Sequence, residues 1–453
     1  MSASALRKAF RRNPRDRAIA ALAIPALGTL AIDPIVSIVD TAWVGRLGTV
    51  PLASLAIASA IFAAIFSVFN FVHAAITPLI AGEVGRGDSE RAGAITTGAV
   101  VIAILLGIAV AFVMMFFIEP VIGLFGADDS VAAGASTYLR IRFLALPAVL
   151  IAMVGHGVYR GHSDTRTPLY VAVGMNVVNL VLDPILIFGF DLGVAGAAWA
   201  TVVAQTVAAG WFLVLMFGVQ RKRLGTHLKV HRLGSLGVGQ ILSAGWPMMI
   251  RSAALLLAIT ATTAAASRIG TQQVAAHQIA MQVWLFLSFV LDSFAVAAMA
   301  MVGTDIGARD LKAARDVSNR LLALGLMAGI GLAVLLAVTS PLIFMIFTTD
   351  QGVRTDLRSI YGFVVLLQPI TALVYVWDGI GIGASAFKFL AGSMVAAGAA
   401  SVATLVVFGD TLVGVWVGIA VLTLTRLVAL AWWYQTGALS SSSRGPSHGS
   451  LAA

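Results

Sequence analysis

Five aspartates, Asp33, Asp40, Asp183, Asp292 and Asp378, lie inside long apolar stretches of this chain. An ionised side chain at membrane depth is costly, and where it occurs it marks an ion path, a substrate path or a paired contact. Each of the five is therefore a candidate for chemistry. For each, the plain alternative is a hydrogen-bonded or ion-paired group with a structural role.

Two of them fall at one depth. Asp40 precedes Gly48, at the outer end of the first apolar stretch, by eight residues, and Asp183 precedes Asp191, at the outer end of the fifth, by eight. Thr201 lies about nine residues into the sixth, which runs the other way. At ~1.5 Å of rise per residue, all three sit roughly 12–14 Å below the outer surface. Asn179 stands one turn deeper, on the face of Asp183, so that Asn176, Asn179 and Asp183 make a polar stripe on an otherwise apolar helix. Arg140 and Arg142 are the only basic residues near this level. A carboxylate pair of this kind holds either a shared proton or a cation with hard oxygen ligands, here Na⁺ at Asp40, Asn179, Asp183 and Thr201. No firm metal site is expected. Asp33 precedes Pro34 and is expected to cap a helical segment after a kink, with the cavity as its other possible environment.

The elements that must position these groups are membrane helices. Hydrophobic residues make up 59% of 453 and charged ones 11%, with a mean hydropathy of +0.97, too little charge to cover a water-soluble protein of this size. The apolar residues come in runs long enough to cross a bilayer. Twelve such spans are expected, near 18–45, 51–81, 93–118, 135–158, 168–190, 193–219, 239–267, 272–303, 318–347, 357–386, 388–409 and 411–435. The expected fold class is an all-α integral membrane protein with twelve transmembrane helices in two pseudo-symmetric six-helix lobes. The N-lobe would run over 18–219 and the C-lobe over 239–435. A basic cytoplasmic loop (220–238) joins them, an uncleaved cytoplasmic tail (1–17) precedes them, and a disordered Ser- and Gly-rich tail (436–453) follows.

The net charge of +9 is a topological signal. With the N-terminal tail cytoplasmic, 21 of the 29 Lys and Arg residues fall in tails and cytoplasmic loops. Arg46, Arg140, Arg142, Arg268, Arg354 and Arg358 fall outside, while Arg251 and Arg426 lie inside spans. This bias places both termini in the cytoplasm of a plasma (cell inner) membrane protein and makes a nucleic-acid partner needless. The expected partners are the lipid bilayer and a small-molecule substrate, with the chain a monomer. Trp43, Trp432, Trp433 and Tyr434, at span ends, read as interfacial anchors. The methionines, Met114-Met115 among them, read as lipid-facing or core filler.

A repeat runs through the chain at one offset. Pro25 matches Pro247, Arg46-Leu47-Gly48-Thr49 matches Arg268-Ile269-Gly270-Thr271, Gly85 and Asp88 match Gly307 and Asp310, and Gly157, Gly161 and Ser163 match Gly379, Gly383 and Ser385, each pair 222 residues apart. Two copies of an even number of spans enter the membrane in the same direction, the parallel repeat of secondary transporters with a path between the halves. The second copy lacks the acid pair: Thr262 replaces Asp40 and Leu405 replaces Asp183. Instead, Asp292 and Asp378 replace Asn70 and His156, in the cytoplasmic halves of their spans together with Arg251. These, with Arg426, read either as an ion-pair network or as a substrate-facing site. His277 and Gln278 open span 8, and a lone histidine there reads as a satisfied polar contact before a ligand.

The segments DPIVSIVDTAWVGRLG (33–48), YRGHSDTRTPLY (159–170), NVVNLVLDPILIFG (176–189) and LDSFAVAAMAMVG (291–303), with Pro25, resemble the multidrug and toxic compound extrusion (MATE) family in its DinF-like branch. The DP before VDTAWVGRLG and the run DGIGIGAS (378–385) are similar to plant organic-acid exporters of that branch. The resemblance implies a V-shaped, two-lobed fold and export driven by H⁺ or Na⁺ entry. It places the cation site on Asp40, Asn179, Asp183 and Thr201 with Tyr138 nearby, and the bending proline at Pro25. His156 and Met153 depart from the amides of some relatives in span 4.

No P-loop and no metalloprotease histidine pair occurs, and there is no cysteine, so no enzyme, no cofactor and no thiolate metal site is expected. The function that follows is a cation-coupled antiporter exporting small organic solutes. Interior carboxylates outnumber clear cations five to two, which favours lipophilic cations over an organic acid such as citrate. Asp33, Arg251, His277, Asp292, Asp378 and His156 are the candidates for a substrate or C-lobe polar site. A lipid-precursor flippase would need more cavity arginines than Arg251, and a passive channel would need neither the repeat nor the acid pair.

Overall fold

The structure, a computed structural model, describes residues 13–69, 71–227, 237–437 and 439, without the side chains of Asp33 and Val68. The first twelve residues, Asn70, residues 228–236 of the basic loop and most of the Ser-rich tail lie outside the described residues.

Every element among the described residues is helical. Ten helices are long and apolar enough to cross a membrane, and two bent pairs bring the number to twelve, each at an expected position. Spans 1 to 3 are Arg15–Gly45, Thr49–Arg86 and Ser89–Gly123; span 4 is the pair Asp129–Phe143 and Leu146–Gly161; spans 5 and 6 are Arg166–Gly189 and Gly193–Val219. Spans 7 to 9 are Val238–Ile269, Thr271–Gly307 and Leu311–Phe347; span 10 is the pair Gln351–Leu366 and Gln368–Gly383; spans 11 and 12 are Phe387–Phe408 and Leu412–Gln435.

The repeat persists in local geometry. Asp88 and Asp310 each sit at φ −93°, ψ 77° and cap the helix that follows, Asp88 accepting from the Arg91 amide and Asp310 from the Ala313 amide, both at 2.8 Å. Ser163 and Ser385 both turn through the left-handed region at φ 56°. Spans 4 and 10 bend by 53° and 47°, just before Pro147 and Pro369. A proline lacks the amide hydrogen that would bond the preceding turn, and its ring crowds that turn, so each kink has a stated cause. Glycines make room for the kinks. A Cβ on Gly107 in span 3 would stand 2.5 Å from the Pro147 Cα, and one on Gly329 in span 9 would stand 2.9 Å from the Pro369 Cα.

The chain forms two compact units, Gly28–Gly245 and Met1–Leu27 with Trp246–Ala453. These boundaries differ from the expected lobe ends, because they fall inside spans 1 and 7. In the second unit, Ile19, Leu22 and Ala23 of span 1 join a buried cluster with Val317, Leu321, Val376 and Ile380. Trp433 and Tyr434 belong to that cluster too, so these two are core residues and not interfacial anchors; Trp432 is 63% exposed, and Trp43 is half-buried at its span end under Arg46. Span 1 is helical straight through Pro25 and Pro34. Asp33 therefore does not begin a new segment, a correction to the capping role. Its side chain lies outside the described residues.

Candidate functional site: a buried carboxylate pair

Spans 1, 4, 5 and 6 of the Gly28–Gly245 unit bring the outer-half candidates together. Three helices each contribute two side chains one turn apart: Tyr138 and Arg142, Asn179 and Asp183, Thr201 and Gln205. Span 1 contributes Asp40. The carboxyl groups of Asp40 and Asp183 are close neighbours that interact electrostatically. Asp183 is fully buried, Asn179 is 4% exposed, and Asp40 is half-buried. Neither oxygen of Asp183, nor Oδ1 of Asp40, receives a donor from any described residue. Two buried carboxyl groups in such contact need a proton or a cation between them.

The neutral ligands close around the pair. Asn179 Nδ2 lies 3.4 Å from Thr201 Oγ1, and that hydroxyl donates to the Ala197 carbonyl at 3.0 Å. The Tyr138 side chain lies close to Thr201 and Arg142. Asn176, expected in the same stripe, back-bonds to the Ala172 carbonyl at 2.8 Å. Asp183 stands immediately before Pro184, after which the helix widens into a π segment, Ile185–Gly189. Such interruptions recur at functional positions.

Arg142, counted among the basic residues of the outer side and near the level of the pair, is 6% exposed, so it turns inward and is not part of the outer charge. Its guanidinium lies 4.1 Å over the Phe62 ring, donates through Nη1 to Gln205 Oε1 at 2.7 Å, and interacts electrostatically with Asp40. Arg140 is the outer one of the two and bonds Glu119 at 3.1 Å. The spacing held the signal: Arg142 follows Tyr138 by four, and Gln205 follows Thr201 by four.

The cytoplasmic-half candidates divide. Arg251 of span 7 and Arg426 of span 12 both donate through Nη2 to Oδ2 of Asp378 on span 10, Arg251 at 2.8 Å. Asp292 lies nearby on span 8, sharing Tyr375 as a neighbour with Asp378 and Arg426. His277 is elsewhere, with Nε2 3.3 Å from Thr263 Oγ1, its ring edge-on to Trp416, and Nδ1 buried without a partner among the described residues. His156 belongs to the other unit, edge-on to Phe212 at 5.3 Å and close to His73 and Arg160. Neither histidine joins the Arg251 cluster, because each is held by its own aromatic neighbour.

A MatE family model matches residues 25–185 and 247–408, beginning at Pro25 and Pro247. The chain belongs to the MatE family. It is 35% identical over 429 residues to Protein DETOXIFICATION 44, chloroplastic, of Arabidopsis thaliana, covering 91% of this chain and 81% of that protein. It is 28% identical to DNA damage-inducible protein F of Escherichia coli K12, covering 92% and 90%. A crystal structure of MATE in the bent conformation superposes with TM-score 0.85 at 21% identity, over 98% of this chain and 100% of that one. This protein is thus a multi-pass membrane transporter of the MATE family, with its carboxylate pair within the first matched segment.

Proposed function

We propose that this MATE-family protein exports a small organic solute in exchange for protons. The observation that carries the reading is the meeting of Asp40 and Asp183 with three carboxylate oxygens buried and undonated. With both acids ionised, the pair and Arg142 carry a net charge of about −1, and one shared proton brings the site to neutrality. A sodium ion would supply the same charge but needs several oxygen ligands around it, whereas a shared proton needs only one oxygen from each carboxyl group. This favours H⁺ over Na⁺ at Asp40, Asn179, Asp183 and Thr201. Proton entry would then neutralise the net charge where span 1 meets span 5 and let span 1 bend near Pro25. Proton loss would reset it. Solute and proton would be favoured by different states of one protein, which is all that exchange requires.

The charge bias of the loops supports both termini in the cytoplasm of the plasma (cell inner) membrane. With Arg142 buried, one fewer basic residue stands outside. The preference for lipophilic cations loses support: Asp378 is held by two arginines, and Arg142 is a third interior cation. An organic anion is the second reading, favoured by that pairing.

Proteoliposomes with separately imposed proton and sodium gradients test the coupling. Export of a fluorescent organic solute is expected with a proton gradient in sodium-free buffer. Export that runs only on sodium would overturn the proton assignment.

A further inference from the structure

We infer that the ends of spans 5 and 6 on the side of the basic loop form a binding site for the headgroup of an anionic phospholipid, with Arg166, Arg221, Lys222 and Arg223 as its cations. The site lies within the Gly28–Gly245 unit and depends on neither the ion nor the solute that the protein carries. Span 6 ends in a π segment, Leu215–Val219, and one further turn, Arg221–Leu224, presents three cations in a row, all exposed. Asp164 brings the start of span 5 against them. Its Oδ1 accepts from the Arg166 amide at 3.1 Å and its Oδ2 from Arg223 Nη1 at 3.3 Å, so one carboxylate joins the two span ends.

Asp164 neutralises only part of the charge gathered there. Arg221 is set in place by its own loop, with Nε donating to the Thr226 carbonyl at 3.2 Å. The side chains of Arg166 and Lys222 are exposed and meet no acceptor among the described residues. Across Gly225, Glu90 and Arg91 cancel each other. The cluster therefore keeps a net positive charge, with two of its cations unengaged.

The surface below the cations decides the class of ligand. Tyr170, one turn along span 5 from Arg166, is 62% exposed, and Val214 and Val219 at the end of span 6 are 61% and 75% exposed. The two spans pack closely here, since a Cβ on Gly174 would stand 2.5 Å from the Trp211 ring. A soluble anion would use the cations alone. A phospholipid uses both surfaces, its phosphate on the basic side chains and its acyl chains along the apolar faces of spans 5 and 6. The Tyr170 ring, apolar in body and polar at its tip, suits the boundary between the two.

The repeat makes the site specific to one half. At the 222 offset, Lys388 stands for Arg166, Ala386 for Asp164 and Gly392 for Tyr170, while Ser443 and Gly445 stand for Arg221 and Arg223. The second copy keeps a cation at the start of span 11 and lacks the carboxylate and the phenol.

The test is native mass spectrometry of the purified full-length protein, titrated with dioleoylphosphatidylglycerol or with dioleoylphosphatidylcholine. A saturable phosphatidylglycerol adduct is expected, about tenfold or more tighter than any phosphatidylcholine adduct. Lys222→Gln should weaken it about fivefold, and Arg166→Gln combined with Lys222→Gln about twentyfold or more. Both positions are exposed, and elution as a single species checks that the variants fold. Lys388→Gln, at the counterpart position, should leave the adduct unchanged. Millimolar inorganic phosphate should not displace the lipid. Equal affinity for the two lipids, or full phosphatidylglycerol affinity in the double variant, would overturn the site. Complete displacement by millimolar inorganic phosphate would overturn it too, by assigning the cations to a free anion.

Discussion

Asp16, at the start of span 1, and Arg320, in span 9, are 304 residues apart in sequence and joined by a two-pronged ion pair at 2.5 and 2.7 Å. Arg15 adds a bond from Nη1 to the Ala313 carbonyl at 2.7 Å. The first turns of span 1 are thereby built into the unit containing Trp246–Ala453, while the same helix beyond Leu27 belongs to the other.

Arg320→Gln should loosen only the first segment of span 1. Arg320 is 8% exposed, so its loss leaves Asp16 without its principal partner. Hydrogen exchange should rise in residues 14–27 and stay unchanged in 28–45. Arg315→Gln, on an exposed arginine over the Tyr434 ring, is the control. Uniform protection along both segments in Arg320→Gln would show that the ion pair does not anchor the helix.

Asp40→Asn and Asp183→Asn should each abolish gradient-driven export while the protein still inserts and elutes as a single species. An amide does not titrate, so either variant loses the two-carboxylate pair that shares the proton. Normal uphill transport by either variant would remove the carboxylate pair from the mechanism.

Thr262→Ala should be mild, although Thr262 stands where the first copy has Asp40. Its hydroxyl donates to the Ile259 carbonyl at 2.7 Å within its own helix, and it is 1% exposed. Alanine removes a back-bond that a helix does not need. Transport rates within about twofold of wild type are expected, since no packing partner depends on that hydroxyl. A loss as deep as that of Asp40→Asn would mean that both units bind the coupling ion.

Gly107→Ala should lower the melting temperature, because the new Cβ would meet the Pro147 Cα at 2.5 Å and backbone cannot yield cheaply. Overpacking of this kind costs about 1–3 kcal/mol. Gly331→Ala, with nothing within 4 Å of its Cβ position, should leave melting unchanged or raise it. If the two variants melt alike, close approach at the span 4 kink is not what requires glycine.

The sequence by itself determined the solvent, the number and order of the spans, the 222-residue repeat and the level at which Asp40, Asp183, Asn179 and Thr201 stand. Each of these follows from run length, periodicity or rise per residue, which are properties of one helix at a time. Rotation of one helix against another is not such a property. Tertiary structure therefore decided that Arg142 turns inward to the acid pair while Arg140, two residues earlier, bonds Glu119 outside. It decided that Asp378 is shared by Arg251 and Arg426 while His277 and His156 pack apart from them. It also divided span 1 between two units, because the packing of Ile19, Leu22 and Ala23 depends on residues some three hundred positions away. Hydrophobic pattern states which faces are apolar, and only side-chain packing across helices states which neighbour each face receives.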